Sequence, residues 1–171
     1  MEFYLAGQEP DEKKVREITR KITLDNKVVP VLCGSALKNK GVQLLLDAIC
    51  EYLPCPTEAP AIHGIHPKSE EPVERQPSPD EPFCGYVFKV VSDSFVGQLA
   101  YMRVYSGHVN KGDSVLNSRT GRKERLSRLL RMHANRREDL DRVETGDIVA
   151  LVGMTQPMTG DTLSAMHAPI A

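Results

Sequence analysis

The chain has 171 residues, enough for one or two domains of ordinary size. Hydrophobic residues make up 40% and charged residues 26%, a balance that argues against a disordered, collagen-like or membrane-embedded chain. The net charge is −1 at pH 7, so the chain as a whole is not a strongly basic binder of polyanions, and any such binding must be local.

Residues 1–54 are predicted to form a small α/β segment of helix, strand and helix. Residues 9–12 are typical of a helix start, because proline suits the first helical position and acidic side chains face the positive end of the helix dipole. A β-branched run at residues 28–32 predicts a buried strand, and residues 41–53 predict a second helix that Pro54 ends. A single unit of this kind cannot cover both faces of its strand. We therefore expect it to be the end of a larger α/β domain, or to pack on the C-terminal part of the chain.

The loop between the predicted strand and the second helix reads CGSALKNKG at residues 33–41. Ligands of open α/β sheets bind beyond the carboxyl ends of the strands, where small residues let backbone N–H groups approach them. A plain turn from strand to helix is the alternative, and the residues alone favour it.

Proline and acidic residues concentrate between the two halves of the chain. Eight of the twelve prolines lie from Pro54 to Pro82, among mostly acidic side chains. Such a stretch cannot continue a helix or a central strand. It predicts an extended surface linker over residues 55–82.

Residues 83–171 show short β patterns separated by glycine turns. Side chains alternate with period two around residues 86–91 and 100–105, and residues 148–152 form an apolar run. This predicts a mainly β domain, either a barrel or a sandwich. Residues 123–131 are the exception, since their leucine spacing and helix propensity favour an amphipathic helix.

The strongest charge feature lies in the same region. Between Arg119 and Arg137 there are eight basic residues and one acid, Glu124. A basic stretch in a nearly neutral chain is typical of contacts with a phosphate backbone. The alternative is a solvated face that nearby acidic residues partly neutralise. Those residues are Glu138, Asp139 and Asp141.

A series of spaced motifs resembles the second domain of bacterial elongation factor G. The motifs are residues 94–99, 103–107, 111–113, 132–135, 146–150 and 160–163. The resemblance extends back through residues 33–43, 46–48 and 52–54, and so covers nearly the whole chain. Residues 132–135, Met-His-Ala-Asn, favour factor G itself over its relatives.

The resemblance implies a mainly β fold, the domain II β-barrel of translational GTPases, preceded by a helix–strand–helix segment. Residues 1–54 would end the GTP-binding domain, residues 55–82 would be the linker, and residues 83–171 would be the barrel. Residues 126–132 would then be a barrel strand and not a helix. The parent protein would be a GTPase that moves tRNA and mRNA on the ribosome, and the chain would be a fragment of it.

The resemblance also assigns ligands and partners. Ser35, Ala36 and Leu37 match the family's guanine-contacting loop, while GTP and Mg²⁺ would be cofactors of the parent. The sequence has no G-x-x-x-x-G-K-[ST] phosphate loop, and Asn26-Lys27 lacks the aspartate of an N-K-x-D motif. We therefore expect no catalytic residue, no metal site and no bound nucleotide in this chain.

The basic stretch supplies the candidate RNA contacts. They are Arg119, Arg122, Lys123, Arg125 and Arg128, with Arg103 as a weaker candidate. Arginine suits this role because its planar guanidinium grips phosphate with two hydrogen bonds. The partners implied are the small-subunit ribosomal RNA and the remaining domains of the parent, with no DNA and no membrane.

Other interpretations remain open at this point. A release-factor GTPase, a ribosome-protection protein or a factor G paralogue would share the barrel, and a stand-alone RNA-binding β-barrel is a further alternative. An enzyme would need Cys33 or Cys84 with His108 or His133, at spacings that indicate no catalytic arrangement. The four cysteines lack C-x-x-C spacing and no export signal is present, so we expect reduced thiols and a cytoplasmic protein.

Overall fold

A computed structural model describes residue 7 and residues 11–93, 96–133 and 136–171. The chain divides into two compact units, one up to Cys55 and the other from Pro56 onward. Parts of three sequence motifs lie outside the described residues: Glu9-Pro10 of the helix start, Ser94-Phe95 and Ala134-Asn135.

The first unit contains the two predicted helices. Helix α1 spans Glu12–Leu24 and helix α2 spans Val42–Tyr52. Asp11 caps α1, since its carboxylate accepts a hydrogen bond of 2.7 Å from the backbone N–H of Lys14. Arg16 joins the helices by donating to both carboxylate oxygens of Glu51, at 2.9 and 3.1 Å.

The strand predicted at residues 28–32 does not form. Its backbone has no ladder partner among the described residues, and Val29 and Val31 are 84% and 91% exposed. A strand needs a neighbouring strand to satisfy its N–H and C=O groups, and the α1–α2 pair offers none.

The proline-rich segment is more ordered than an extended linker. A short 3₁₀ helix covers Pro56–Glu58, and strands β1 (Ile62–Ile65) and β2 (Pro72–Arg75) form an antiparallel hairpin. Pro72 is tolerated because it is the first residue of its strand. The outer edge of β1 is paired at Ile65, which exchanges two backbone hydrogen bonds with Ala171, at 2.9 and 3.0 Å.

The barrel is built from ten further strands. They are β3 Cys84–Asp93, β4 Gly97–Ser106, β5 His108–Asn110, β6 Ser114–Asn117, β7 Arg122–Arg125, β8 Arg128–His133, β9 Arg136–Leu140, β10 Arg142–Glu144, β11 Ile148–Val152 and β12 Thr162–Ser164. Eight of them form one antiparallel sheet in the order β7-β6-β12-β3-β4-β11-β8-β9, and β5 pairs separately with β10. The predicted mainly β fold is confirmed.

The helix favoured by periodicity at residues 123–131 is wrong. This segment forms β7 and β8, as the family resemblance implied. The adjacent residues Leu129 and Leu130 point to opposite faces of β8, and each joins a different buried cluster. Because apolar side chains are buried on both faces, their spacing in the sequence imitates a helix.

Two apolar clusters hold the sheet. The larger lies inside the barrel and includes Val87, Met102, Leu129 and Leu151, each 0–1% exposed. Val109 on β5 and Val143 on β10 belong to it, so the separate pair helps to enclose the core. The smaller cluster contains Leu99, Leu130 and Ala150 on the opposite side of β4, β8 and β11.

Candidate nucleic-acid interface

Strand β7 presents three basic side chains along an edge of the sheet. Among the described strands it pairs only with β6, and Arg122, Lys123 and Arg125 are all exposed. Glu124 is the exception, since it is buried and accepts a hydrogen bond of 3.1 Å from the backbone N–H of Thr155. The one acid within the stretch is therefore turned away from solvent.

Arg122 and Lys123 have no side-chain partner in the part of the chain that the structure describes. Arg125 makes one hydrogen bond, from Nε to the carbonyl oxygen of Gly112 at 3.3 Å. These three cations form a surface that we call the β7 basic edge. Such cations remain available to an external anion.

Arg119 is held by a buried carboxylate of the chain, although its own side chain is 42% exposed. Its Nε donates to Asp161, and its Nη2 reaches the second oxygen of that carboxylate at 3.3 Å. Asp161 is fully buried and also accepts from the Asn117 side chain and the backbone N–H of Met158, each at 3.0 Å. Arg119 therefore fixes the β6–β7 turn to the segment before β12.

The Asp161 carboxylate shows the electrostatic result of this network. Burial raises its pKa. The hydrogen bonds from Arg119, Met158 and Asn117 and the charge of Arg119 lower the pKa by more than burial raises it. The net effect holds the pKa of Asp161 below its ordinary value, so the ion pair persists at neutral pH.

Arg128 is also paired within the chain. Its guanidinium donates two hydrogen bonds to Asp139 on β9, at 3.0 and 2.9 Å. Both side chains are about half exposed, and the hydrogen bonds from Arg128 lower the pKa of Asp139. Arg131 pairs with Glu138 in the same hairpin, at 3.6 Å. Both arginines of β8 are thus paired with acids of β9.

The five candidate contacts therefore do not form one free surface. Arg119 and Arg128 hold carboxylates of the chain, whereas the three residues of the β7 basic edge face solvent. Sequence spacing could not separate these groups, because the carboxylate partners are distant in the chain or lie across a hairpin.

The loop containing Ser35, Ala36 and Leu37 is a closed turn. Ser35 and Lys40 exchange backbone hydrogen bonds of 2.9 and 3.0 Å. The backbone N–H groups of Ala36 and Leu37 have no acceptor among the described residues, and both side chains are exposed. The loop therefore offers two free N–H donors, and Ala36, the first of them, lines a cavity of about 210 Å³.

Two glycines make this turn possible. A Cβ on Gly34 would lie 2.8 Å from the carbonyl oxygen of Lys40, and a Cβ on Gly41 would lie 3.1 Å from that of Cys33. Gly41 also has φ +76°, a conformation that favours glycine. Because neither glycine carries a side chain, the backbone segments at the two ends of the loop can lie close together.

An aromatic surface, not predicted from the sequence, lies on the outside of β3 and β4. Tyr86, Phe88, Tyr101 and Tyr105 all project from the face opposite the main core. The Arg103 guanidinium lies 5.5 Å from the centre of the Tyr105 ring. The period-two alternation could have predicted this surface, because aromatic residues occupy the positions between core residues.

The positions of Cys84 and His108 do not support the alternative of an enzyme with a catalytic cysteine and histidine. Cys84 is buried in β3, which raises the pKa of its thiol to about 11, so the thiol is protonated at neutral pH. His108 faces the carbonyl oxygen of Pro79 at 3.0 Å. Within the described ranges, no helix is long and apolar enough to cross a membrane.

Comparisons with known proteins agree with the fold and with the motifs. Residues 82–166 match the family model described as elongation factor G domain 2. The chain is 51% identical over 170 residues to the elongation factor G of Dehalococcoides mccartyi strain 195, and 49% identical to those of strains BAV1 and CBDB1. These matches cover 99% of this chain but 24% of each relative, so the chain spans about a quarter of their length.

A solved structure is also similar. A crystal structure of a protein from Thermus thermophilus superposes with a TM-score of 0.70 at 27% identity. The match covers 98% of this chain and 22% of the other. Both the sequence and the structural comparisons therefore extend across the two units.

Proposed function

Because the chain belongs to the elongation factor G family, we propose that it works as part of a ribosomal GTPase that moves tRNA and mRNA during protein synthesis. In this proposal residues 83–171 dock on small-subunit ribosomal RNA and pack against the GTP-binding domain. The chain itself performs no catalysis. Its parent uses GTP and Mg²⁺ in the cytoplasm.

The exposed apolar surface of the first unit supports its assignment to the end of a GTP-binding domain. Val29 and Val31 are almost fully exposed, and Leu45 and Ile49 on α2 are close to half exposed. A domain rarely leaves such a contiguous surface uncovered. A parallel sheet of the parent domain would pair with residues 28–32 and cover α2.

The loop geometry supports a guanine-contacting role for Ser35, Ala36 and Leu37 in the parent. Two unpaired N–H donors on a tight turn suit recognition of a base through its acceptor atoms. The phosphates and Mg²⁺ would be bound elsewhere, since the sequence contains no phosphate loop.

The β7 basic edge carries the docking proposal. Arg122 and Lys123 are exposed, are consecutive residues of an edge strand and have no carboxylate partner among the described residues. Phosphate contacts of this type give affinity that is independent of sequence and falls as salt rises.

Binding of the chain to isolated small ribosomal subunits tests this proposal. We expect the double variant Arg122→Glu/Lys123→Glu to bind at least several-fold more weakly than the wild type at low salt, with a smaller dependence of the affinity on salt concentration. Filter binding over a salt series measures both quantities.

The matched control is Lys13→Glu/Lys68→Glu, which changes the net charge equally at two exposed lysines far from β7 in the sequence. The control should bind like the wild type. If both double variants lose affinity equally, net charge and not the β7 basic edge controls binding, and the docking proposal fails.

A further inference from the structure

A groove lies between the β1–β2 hairpin and the outer face of the barrel. Its volume is about 410 Å³, within the usual range of small-ligand sites. Ile62 and Ile170 supply apolar wall, while Tyr86 on β3 and Tyr105 on β4 also line it. The whole groove belongs to the second unit of the chain.

The two tyrosines are the main feature of the groove. Tyr86 is 40% exposed and Tyr105 is 38% exposed, although both lie on long, well-paired strands. Aromatic side chains usually bury their rings against the core or a partner. Here both rings have surface open to a ligand in the groove.

Polar groups in the groove also lack partners. The hydroxyls of Tyr86, Tyr105 and Thr162 and the imidazole of His63 make no hydrogen bond within the described part of the chain. An apolar protein side chain in the groove would desolvate these groups without satisfying them, at a cost in free energy. A ligand with several hydrogen-bonding atoms around a flat ring satisfies them.

A cation lies beside the groove. Arg103 does not line the groove, but its guanidinium lies over the Tyr105 ring at 5.5 Å, and no acidic side chain of the described residues lines the groove. A cation beside an aromatic face is suited to a phosphate attached to a stacked base. A base pair in a duplex has both its faces and its pairing edge occupied, so an unpaired nucleotide fits better.

We propose that this groove binds one unpaired nucleotide of RNA, with its base against Tyr86 and Tyr105 and its phosphate near Arg103. The proposal rests on the RNA docking proposed above and adds a specific contact to it. The β7 basic edge supplies affinity that depends on salt, and the groove selects an unpaired base.

Fluorescence of a short single-stranded oligoribonucleotide with a central 2-aminopurine tests the proposal. We expect the wild-type chain to quench the probe on binding, because the fluorescent base stacks on tyrosine. Tyr86→Leu and Tyr105→Leu should each weaken binding by roughly 5- to 100-fold, the usual loss on removing a base–aromatic stack. Leucine retains apolar bulk, so the loss reports on stacking.

Phe88→Leu is the matched control, since Phe88 lies on the same outer face but does not line the groove. It should bind and quench like the wild type. Should a tyrosine variant fail to fold, shifts of the Tyr86 and Tyr105 ring protons on adding the oligonucleotide to the wild type provide the second measurement.

The outcomes separate the two proposals. If the tyrosine variants bind the probe like the wild type, or if the wild type binds without quenching or ring shifts, the groove proposal is overturned. Docking through the β7 basic edge then stands or falls on the ribosomal-subunit experiment alone. If Arg122→Glu/Lys123→Glu binds weakly but still quenches the probe, both proposals are supported.

Discussion

The two units of the chain handle apolar residues in opposite ways. In the first unit Ala48 is the one buried apolar residue among those described, and the valines of residues 28–32 are exposed. In the second unit a similar β-branched run, β11, pairs on both sides and buries Val149, Ala150 and Leu151. The difference shows that an apolar run becomes a strand only where neighbouring strands satisfy its backbone.

Truncating one leucine in each unit is the strongest test of this comparison. Leu129→Ala in the barrel core should lower the free energy of unfolding by about 2–5 kcal/mol, because it removes buried contacts and leaves a cavity. Leu44→Ala in α2 should change it little, since Leu44 is 69% exposed. Urea unfolding of both variants measures the difference. Equal losses would mean that the first unit has a core that the exposed fractions do not reveal.

The ion pair between Arg119 and the buried Asp161 carboxylate gives the next largest effect. Asp161→Asn should lower the free energy of unfolding by about 2 kcal/mol at pH 7, because Arg119 and Asn117 lose a charged acceptor. Asp139→Asn, on an exposed pair, should have a much smaller effect. Urea unfolding at pH 7 compares the two variants, and equal losses would contradict the special role of the buried carboxylate.

The same carboxylate predicts a pH dependence. The pKa of Asp161 is lower in the folded than in the unfolded state, so its stabilising contribution is complete above the ordinary aspartate pKa. The contribution is lost as the pH falls through that value toward the folded pKa. The free energy of unfolding of Asp161→Asn should therefore change less with pH in the acid range than that of the wild type. Urea unfolding over a pH series measures this. A variant that keeps the wild-type acid profile would contradict this assignment.

A smaller effect is expected at the start of α1. Asp11→Ala removes the cap on the Lys14 N–H and should cost α1 about 1 kcal/mol. Faster amide hydrogen exchange within Glu12–Leu24 measures this loss, while the exchange rates of amides in the barrel should not change. Asp47→Ala in α2 is the control, because Asp47 has no capping role. If exchange in the barrel rises equally, the two units do not open independently.

The smallest expected effect concerns the binding of nucleotide to this chain. We predict no GTP binding measurable by titration calorimetry, because one base-contacting loop cannot offset the roughly 4–15 kcal/mol cost of association. Micromolar binding would contradict this and would mean that the first unit holds more of a nucleotide site than its sequence motifs indicate.

Much of the fold could be predicted from local patterns. Helices α1 and α2, strands β3, β4 and β11 and several glycine turns follow from spacing and turn chemistry. The strands at residues 122–133 could not, since Leu129 and Leu130 are buried on opposite faces. Nor could the hairpin β1–β2, because part of its backbone hydrogen bonding is with Ala171, which is distant in the sequence.

The candidate site, like the fold, could be predicted only in part from the sequence. The sequence by itself determined the family motifs, the basic stretch and the alternation that places tyrosines opposite the core. Only the tertiary structure decided that Arg119 is bound to Asp161, 42 residues away, and that Arg122 and Lys123 are left to solvent. It also brought His63 beside Tyr86, Tyr105 and Thr162. Local sequence sets backbone preference and side-chain chemistry, but the pairing of charges and the shape of a groove depend on contacts between distant residues.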